Sequence, residues 1–358
     1  MSRYNRHIIL SEIGKEGQKK INKAKILVVG AGGLGCTILQ YLVAACVGKV
    51  GIIDFDIVEK SNLQRQILFG ASSLGINKAL AAKNRLEDLN SEIQINAITS
   101  ALTTQNALEL FADYDIIVDG TDNFETRYII NDAAVITNKP VVYGAIYKFE
   151  GQVSVFNYKN GPSYRCLFPN TPKDKSLANC SEIGVLGVLP GIIGTMQANE
   201  ALKIILEFNN VLSGKLLCYD AKTTEIFLLN VEKSELEFNK ALNKKESFKN
   251  LDYAFECSSK VKELHINDIH KIDNIQFVDV RELHETPKLS LENCIQIPLG
   301  EIEYNLDKIP TDKIIVLFCH SGIRSKTAAE ILFKNNITNC YNLKDGAQAI
   351  IEQLKIKI

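Results

Sequence analysis

Lys25-Ile26-Leu27-Val28-Val29-Gly30-Ala31-Gly32-Gly33-Leu34-Gly35 is an apolar run that passes directly into a glycine-spaced turn. The run reads as a buried strand, and the residues from Gly35 open a helix. The glycines permit a tight turn and let the backbone approach a phosphate closely. Asp54 ends the next apolar run, Val50-Gly51-Ile52-Ile53, where a carboxylate can hold ribose hydroxyls. The alternation continues outward: a helix over Lys78–Leu89, a strand over Ile93–Ile98, a strand over Asp115–Asp119 and a helix from Asn123. This order predicts an α/β fold, a Rossmann-like doubly wound and mostly parallel sheet with helices on both faces. Pro140–Tyr143, Gln152–Asn157, a long helix through Gly194–Glu207 and a hairpin near Lys215–Val231 complete it.

The chain has 358 residues, 46% of them hydrophobic and 23% charged, too many for one ordinary domain. From Glu232 to Ser259 the apolar period dissolves into polar and charged residues. The expected organisation is therefore a first domain over 1–232, a linker over 233–260 and a smaller α/β domain over 261–358. A net charge of -1 argues against nucleic acid or an anionic membrane as the main partner. No apolar run is long enough to span a bilayer, and the first residues lack a signal core. Nine scattered cysteines without a C-x-x-C pair fit free thiols in a reducing cytoplasm.

The glycine loop alone suits a dehydrogenase equally well. The following stretch narrows the choice. Arg65, in Ser61-Asn62-Leu63-Gln64-Arg65-Gln66, and Lys78 at a helix start can clamp a polyphosphate and its developing charge. Hydride chemistry does not require that clamp. Asp122, in Gly120-Thr121-Asp122-Asn123, follows a strand at the carboxyl edge, where it can hold Mg²⁺ on phosphates.

Taken together, Arg3-Tyr4-Asn5-Arg6, the glycine loop, Asp54-Phe55-Asp56, the Ser61–Gln66 stretch, Gly120–Asn123 and Gly184–Pro190 resemble the ThiF/MoeB family. These adenylyltransferases activate ubiquitin-like sulfur-carrier proteins. The resemblance implies that Gly30, Gly32, Gly33, Gly35, Asp54, Asp56, Ser61, Asn62, Arg65, Lys78, Asp122 and Asn123 bind ATP with Mg²⁺. It also implies a homodimer in which Arg6 reaches the neighbouring subunit's site. Cys180, in Asn179-Cys180-Ser181-Glu182, matches the family cysteine that forms a covalent link to the carrier. The polar segment before it, Asn170–Ala178, reads as a loop over a site. The chemistry is compatible, since a carboxylate attacking the α-phosphate is already a nucleophile and needs positioning and charge stabilisation above all.

One departure is plain. Many members of that family hold a zinc with two C-x-x-C pairs. Here Ser163 stands at the first ligand position, Cys166 stands alone, and no second pair follows Phe227–Val231. A tetrahedral thiolate site cannot be built from these residues. No zinc is expected, with apolar packing or hydrogen bonds in its place.

The second domain carries Cys319-His320-Ser321-Gly322-Ile323-Arg324 between the apolar run Ile314–Phe318 and a helix-like stretch, Lys326–Lys334. A thiol at a helix mouth among backbone N–H groups and an arginine has the surroundings of a thiolate. With Phe277-Val278-Asp279-Val280-Arg281-Glu282 and Ile297-Pro298-Leu299-Gly300, the loop resembles that of a rhodanese domain. The resemblance implies a persulfide on Cys319, stabilised by Arg324, and a cysteine desulfurase or other sulfur donor as a partner. The loop has the length suited to sulfur rather than phosphate. The expected function joins both ends: adenylation of a carrier's C-terminal glycine, then sulfur transfer. The molybdopterin-synthase small subunit is the favoured carrier, the thiazole-pathway carrier the alternative. A dehydrogenase or a non-catalytic scaffold would leave Arg65, Lys78 and Cys319 unexplained.

Overall fold

The computed structural model describes residues 3–170, 184–251, 253, 261–272, 274–335 and 337–353. The chain divides into two compact units, Met1–Phe255 and Glu256–Ile358.

The first unit is built on an eight-stranded sheet of order β3-β2-β1-β4-β5-β6-β7-β8. Its strands are β1 (Lys25–Val29), β2 (Lys49–Ile53), β3 (Gln94–Ile98), β4 (Ile116–Asp119), β5 (Val141–Tyr147), β6 (Glu150–Phe156), β7 (Lys215–Asp220) and β8 (Ile226–Asn230). Strands β3 to β5 are parallel, and β5 to β8 run antiparallel. The buried runs Ile26–Val29 and Ile116–Asp119 have no polar alternation because helices cover both faces of a central parallel strand. The helices are α1 (Asn5–Ile8), α2 (Gly14–Lys23), α3 (Gly33–Ala44), α4 (Lys78–Leu89), α5 (Ala107–Ala112), α6 (Phe124–Thr137), α7 (Tyr164–Leu167), α8 (Leu189–Ile205) and α9 (Glu235–Leu242). Helices α3 and α8 cross closely: a Cβ at Gly194 would lie 2.7 Å from the Leu34 carbonyl oxygen. That contact seats Pro190 beside the glycine loop.

The sheet order places β1 beside β4, with their crossovers running to opposite sides. A crevice opens at such a switch point, beyond the carboxyl ends of the strands. Gly30 and Gly120 meet there.

The segment 233–260, expected to be a linker, is a built part of this unit through Tyr253. Ser234 caps α9 by accepting the Glu237 N–H at 3.4 Å. Phe238 and Ala241 bury against Val135, and Phe248 joins the core with Phe111 and Val231. Two turns of helix with two buried apolar residues are too short to register as a period against charged neighbours.

The second unit holds a five-stranded sheet of order β11-β10-β12-β13-β9, parallel throughout. The strands are β9 (Lys262–Leu264), β10 (Ile275–Asp279), β11 (Cys294–Gln296), β12 (Ile314–Phe318) and β13 (Cys340–Leu343), with helices α10 (Ile323–Lys334) and α11 (Gly346–Gln353). β12 is the central strand, and the Cys319 loop leaves its carboxyl end. Among the described residues no helix is long and apolar enough to cross a membrane.

Candidate active sites

The turn after β1 is closed by contacts that exclude side chains. Gly30 has φ +92°, and a Cβ on it would lie 2.8 Å from the Gly120 carbonyl oxygen; one on Gly35 would lie 2.0 Å from the Gly30 carbonyl. A Cβ on Gly33 would meet Pro190 at 3.0 Å, whereas Gly32 faces open space apart from Gln66. The turn delivers the N-terminus of α3 to the crevice, where the first-turn N–H groups and the helix dipole favour an anion.

Asp54 stands just past β2. Its carboxylate accepts the N–H of Ala31 at 2.7 Å and of Asp56 at 2.9 Å. Burial pushes its pKa up, against the pull of those two bonds. Lys78 begins α4 and is buried, with Nζ 2.9 Å from Asp56 Oδ2. Asn77, which the sequence reading missed, fixes this corner. Its Oδ1 caps α4 at Ala79 N and Leu80 N, and its Nδ2 donates to the carbonyls of Asp54 and Asp56. Its signal was local, an asparagine directly before a helix.

The Ser61–Gln66 stretch folds as a short 3-10 turn, Lys60–Asn62, with Asn62 buried and its Oδ1 accepting the Glu59 N–H at 3.1 Å. Ser61 Oγ donates to Glu59 Oε2 at 3.1 Å. Arg65 Nη1 donates to the Ser61 carbonyl at 3.1 Å, and its Cγ lies 3.8 Å from where a Gly33 Cβ would be. Gly33, Arg65 and Pro190 therefore share one corner. Beyond β4, Asp122 is exposed, and Asn123 caps α6 by accepting the Thr126 N–H at 2.9 Å. The buried carboxylate of this edge is Asp119: Oδ1 accepts the Thr121 N–H at 2.9 Å and the Thr121 hydroxyl at 2.6 Å. Burial raises the Asp119 pKa against the pull of Arg127. Arg6 lies exposed on α1. Cys180 lies outside the described residues.

Cys166, which stands alone where a C-x-x-C pair would place two thiols, accepts at Sγ from Ser163 N at 3.3 Å and Ser234 N at 3.2 Å, with Ser163 Oγ at 3.4 Å. One sulfur thus gathers three groups from α7 and the start of α9. Among the described residues, no group of three His, Cys, Asp or Glu converges to hold a metal.

In the second unit, Cys319 is 1% exposed. Its sulfur lies 3.5 Å from Ser325 Oγ, which is 2.7 Å from Asn342 Oδ1, and its carbonyl accepts the Ala347 N–H at 2.7 Å. Gly322 caps α10 with φ +82°, where a Cβ would lie 2.4 Å from the Lys344 carbonyl oxygen. The thiol sits at the mouth of a helix, as read from sequence. Arg324 is paired with a carboxylate: Nη1 and Nη2 bond Glu285 Oε1 and Oε2 at 2.5 and 2.9 Å. Asp279 and Arg281 form a buried fork, Nη2 to Oδ2 at 2.7 Å, under the same edge.

The first unit is thus a nucleotide-type α/β domain and the second an α/β domain built around a cysteine loop. The chain belongs to the ThiF family, matched over residues 4–240, and carries a Rhodanese-like domain, matched over residues 263–353. It is an enzyme, an adenylyltransferase with a sulfurtransferase domain. The adenylyltransferase and sulfurtransferase MOCS3 of Culex quinquefasciatus is 40% identical over 358 residues, 93% of this chain and 82% of that protein. The probable adenylyltransferase/sulfurtransferase MoeZ of Mycobacterium tuberculosis is 35% identical and covers 99% of this chain and 94% of its own length. The sulfur carrier protein adenylyltransferase of Thermus thermophilus is 48% identical over 239 residues, 65% of this chain and 88% of that protein. The E. coli MccB structure with ATP shares the fold at a TM-score of 0.58 and 22% identity, over 66% of this chain and 73% of that one.

Proposed function

We propose that the first unit binds Mg²⁺-ATP and adenylates the C-terminal glycine of a ubiquitin-like sulfur-carrier protein, and that Cys319 then delivers sulfur to it. The observation that carries this reading is the company of Gly33, Arg65 and Lys78 at the switch point of a ThiF-family sheet, in one chain with a rhodanese-type cysteine loop. The glycine cradle fits a nucleotide, because a Cβ at Gly30 or Gly35 would collide with backbone. Asp54 would hold the ribose, and Ser61 and Asn62 would line the same pocket. Asp122, a single exposed carboxylate, fits Mg²⁺, which takes its other ligands from phosphates and water; the ion would neutralise phosphate charge.

The carrier carboxylate attacks the α-phosphorus, the bond to the bridging oxygen breaks, and pyrophosphate leaves. Arg65 and Lys78 stabilise the charge that develops on the phosphates. The outer sulfur of a Cys319 persulfide then attacks the acyl carbon and AMP leaves, forming an acyl disulfide. A second thiol attacks the Cys319 sulfur, and the carrier departs as a thiocarboxylate. Cys180 is the candidate for that thiol, or for an earlier covalent relay. Arg6 would complete the site of the partner in a homodimer; an external thiol reductant would reduce the disulfide left on Cys319, and a cysteine desulfurase or other donor would then reload the freed thiol in the cytoplasm.

The molybdopterin-synthase small subunit is the favoured carrier. A relative from Porphyra purpurea, 40% identical, is a probable molybdopterin-synthase adenylyltransferase, which supports this choice. Pyrophosphate release from Mg²⁺-ATP, measured with this carrier and with the thiazole-pathway carrier in parallel, is the test. Turnover with the first is expected; silence with both would overturn the proposal.

A further inference from the structure

We infer that Glu285 is a specificity-determining residue that holds Arg324 away from incoming anions, so that the Cys319 loop takes sulfur from donors of low charge and discriminates against dianions such as thiosulfate. The inference rests on the sulfur-carrying role of Cys319 proposed above.

Arg324 ends the cysteine loop and is the cation nearest to it in sequence. A free guanidinium at a loop mouth would recruit an oxyanion bidentately. Here both of its terminal nitrogens are spent on the two oxygens of Glu285. Glu285 is itself anchored, since Oε1 also accepts the Glu282 N–H at 2.8 Å. Arg324 holds the Glu285 carboxyl down at about 2, so its charge persists across any practical assay pH. The other charges near the loop do not replace the lost cation. Glu282 is exposed beside the pair. Lys326 and Lys344 are both turned to Glu263, at 2.8 and 3.5 Å. Arg281 is forked onto Asp279, Lys288 is turned to the Leu283 carbonyl and to Gln296, and His265 faces Asp345. His284 and His320 are exposed. A dianion therefore approaches two carboxylates and an arginine whose bidentate edge is already taken by Glu285.

The reaction with thiosulfate would be simple in its balance. The Cys319 thiolate attacks the outer sulfur of thiosulfate, the S–S bond breaks, and sulfite leaves with the electron pair. Cyanide then takes the outer sulfur of the persulfide as thiocyanate and regenerates the thiolate. No external oxidant or reductant is required.

The experiment measures thiocyanate formation by the full chain with saturating cyanide, using thiosulfate or the persulfide of 2-mercaptoethanol as donor. Glu285→Gln is expected to lower KM for thiosulfate by roughly tenfold, with kcat changed less than about twofold and the persulfide donor little affected. Glu285→Asp should restore the wild-type KM. Salt should lower the thiosulfate KM of the wild type and move that of Glu285→Gln less, because screening removes the same repulsion. An unchanged or raised thiosulfate KM in Glu285→Gln, with both donors active, overturns the inference. A drop in kcat with both donors would mark Glu285 as a mere support of the loop and also overturn it. If the wild type produces no more thiocyanate than Cys319→Ala with either donor, the sulfur-carrying role itself fails, and the inference falls with it.

Discussion

Lys78 Nζ stands 2.9 Å from Asp56 Oδ2, and the two are unequally immersed: the lysine side chain is 9% exposed, the aspartate 51%. A buried ammonium is costly unless paired, so the partially exposed carboxylate holds Lys78 in place. The pairing leaves a cation that a phosphate can engage at the mouth of the crevice.

Lys78→Ala and Arg65→Ala should each reduce carrier-dependent ATP–pyrophosphate exchange by about 100-fold or more, the usual cost of losing a charge-stabilising donor. Asp122→Asn should raise the Mg²⁺ concentration needed for half-maximal exchange, with activity recovering at high Mg²⁺. Wild-type exchange in the two cation variants would remove them from the site.

The buried Asp132 offers a pH signature. Burial pushes its pKa up, but the bonds from Arg165, at 2.6 and 2.9 Å, and from Tyr253, at 2.6 Å, outweigh this and hold it below the ordinary carboxylate range. Its contribution is thus fully present above the unfolded value near ~3.9 and is lost as pH falls through the lower folded value. Asp132→Asn should cost about 3–5 kcal/mol by stranding Arg165. The gap between variant and wild type in denaturant melts should be level from pH 7 to about 5 and narrow below about 4. A gap that widened in acid would contradict this assignment.

Gly322 and Gly300 form a matched pair for testing the cysteine loop. Gly322→Ala places a Cβ 2.4 Å from the Lys344 carbonyl oxygen at φ +82°, while a Cβ on Gly300 meets nothing within 4 Å. The first change should abolish sulfur loading of Cys319 and leave adenylation intact, with a strain of about 1–2 kcal/mol before any clash is counted. The second should leave loading within about twofold. Equal effects would mean that the loop tolerates rearrangement.

Cys166 tests what ties α7 to the start of α9 in the first unit. Cys166→Ala should lower stability by about 1–3 kcal/mol, since Ser163 N and Ser234 N lose their acceptor. Elemental analysis of the wild type should find well under one zinc per chain. One tightly held zinc would overturn this.

Much of the architecture was legible in residues because the strands of a covered parallel sheet are short continuous apolar runs. Lys25–Val29, Ile314–Phe318 and the helix Lys78–Leu89 carry their limits in the sequence. The glycine loop was equally plain, since its spacing expresses a backbone constraint. Partnerships between distant side chains were not. Nothing in the spelling of Glu285 announces that it meets Arg324, and Asp132, Arg165 and Tyr253 converge from three separate stretches of chain. Asn123 was expected beside the nucleotide, and it caps a helix, a role its position before Phe124 already allowed. The polar tract after Val231 misled because composition reports solvation, whereas Phe238, Ala241 and Phe248 are isolated apolar residues in it that bury against the first unit.

That tract has a practical consequence for anyone wishing to prepare the adenylating half alone. A stop codon at 232, where composition would put it, removes the two aromatic plugs Phe238 and Phe248 and the Tyr253 hydroxyl, opening Asp132 to water. An expression boundary placed after Tyr253 keeps them, and the shorter fragment should be the one that aggregates.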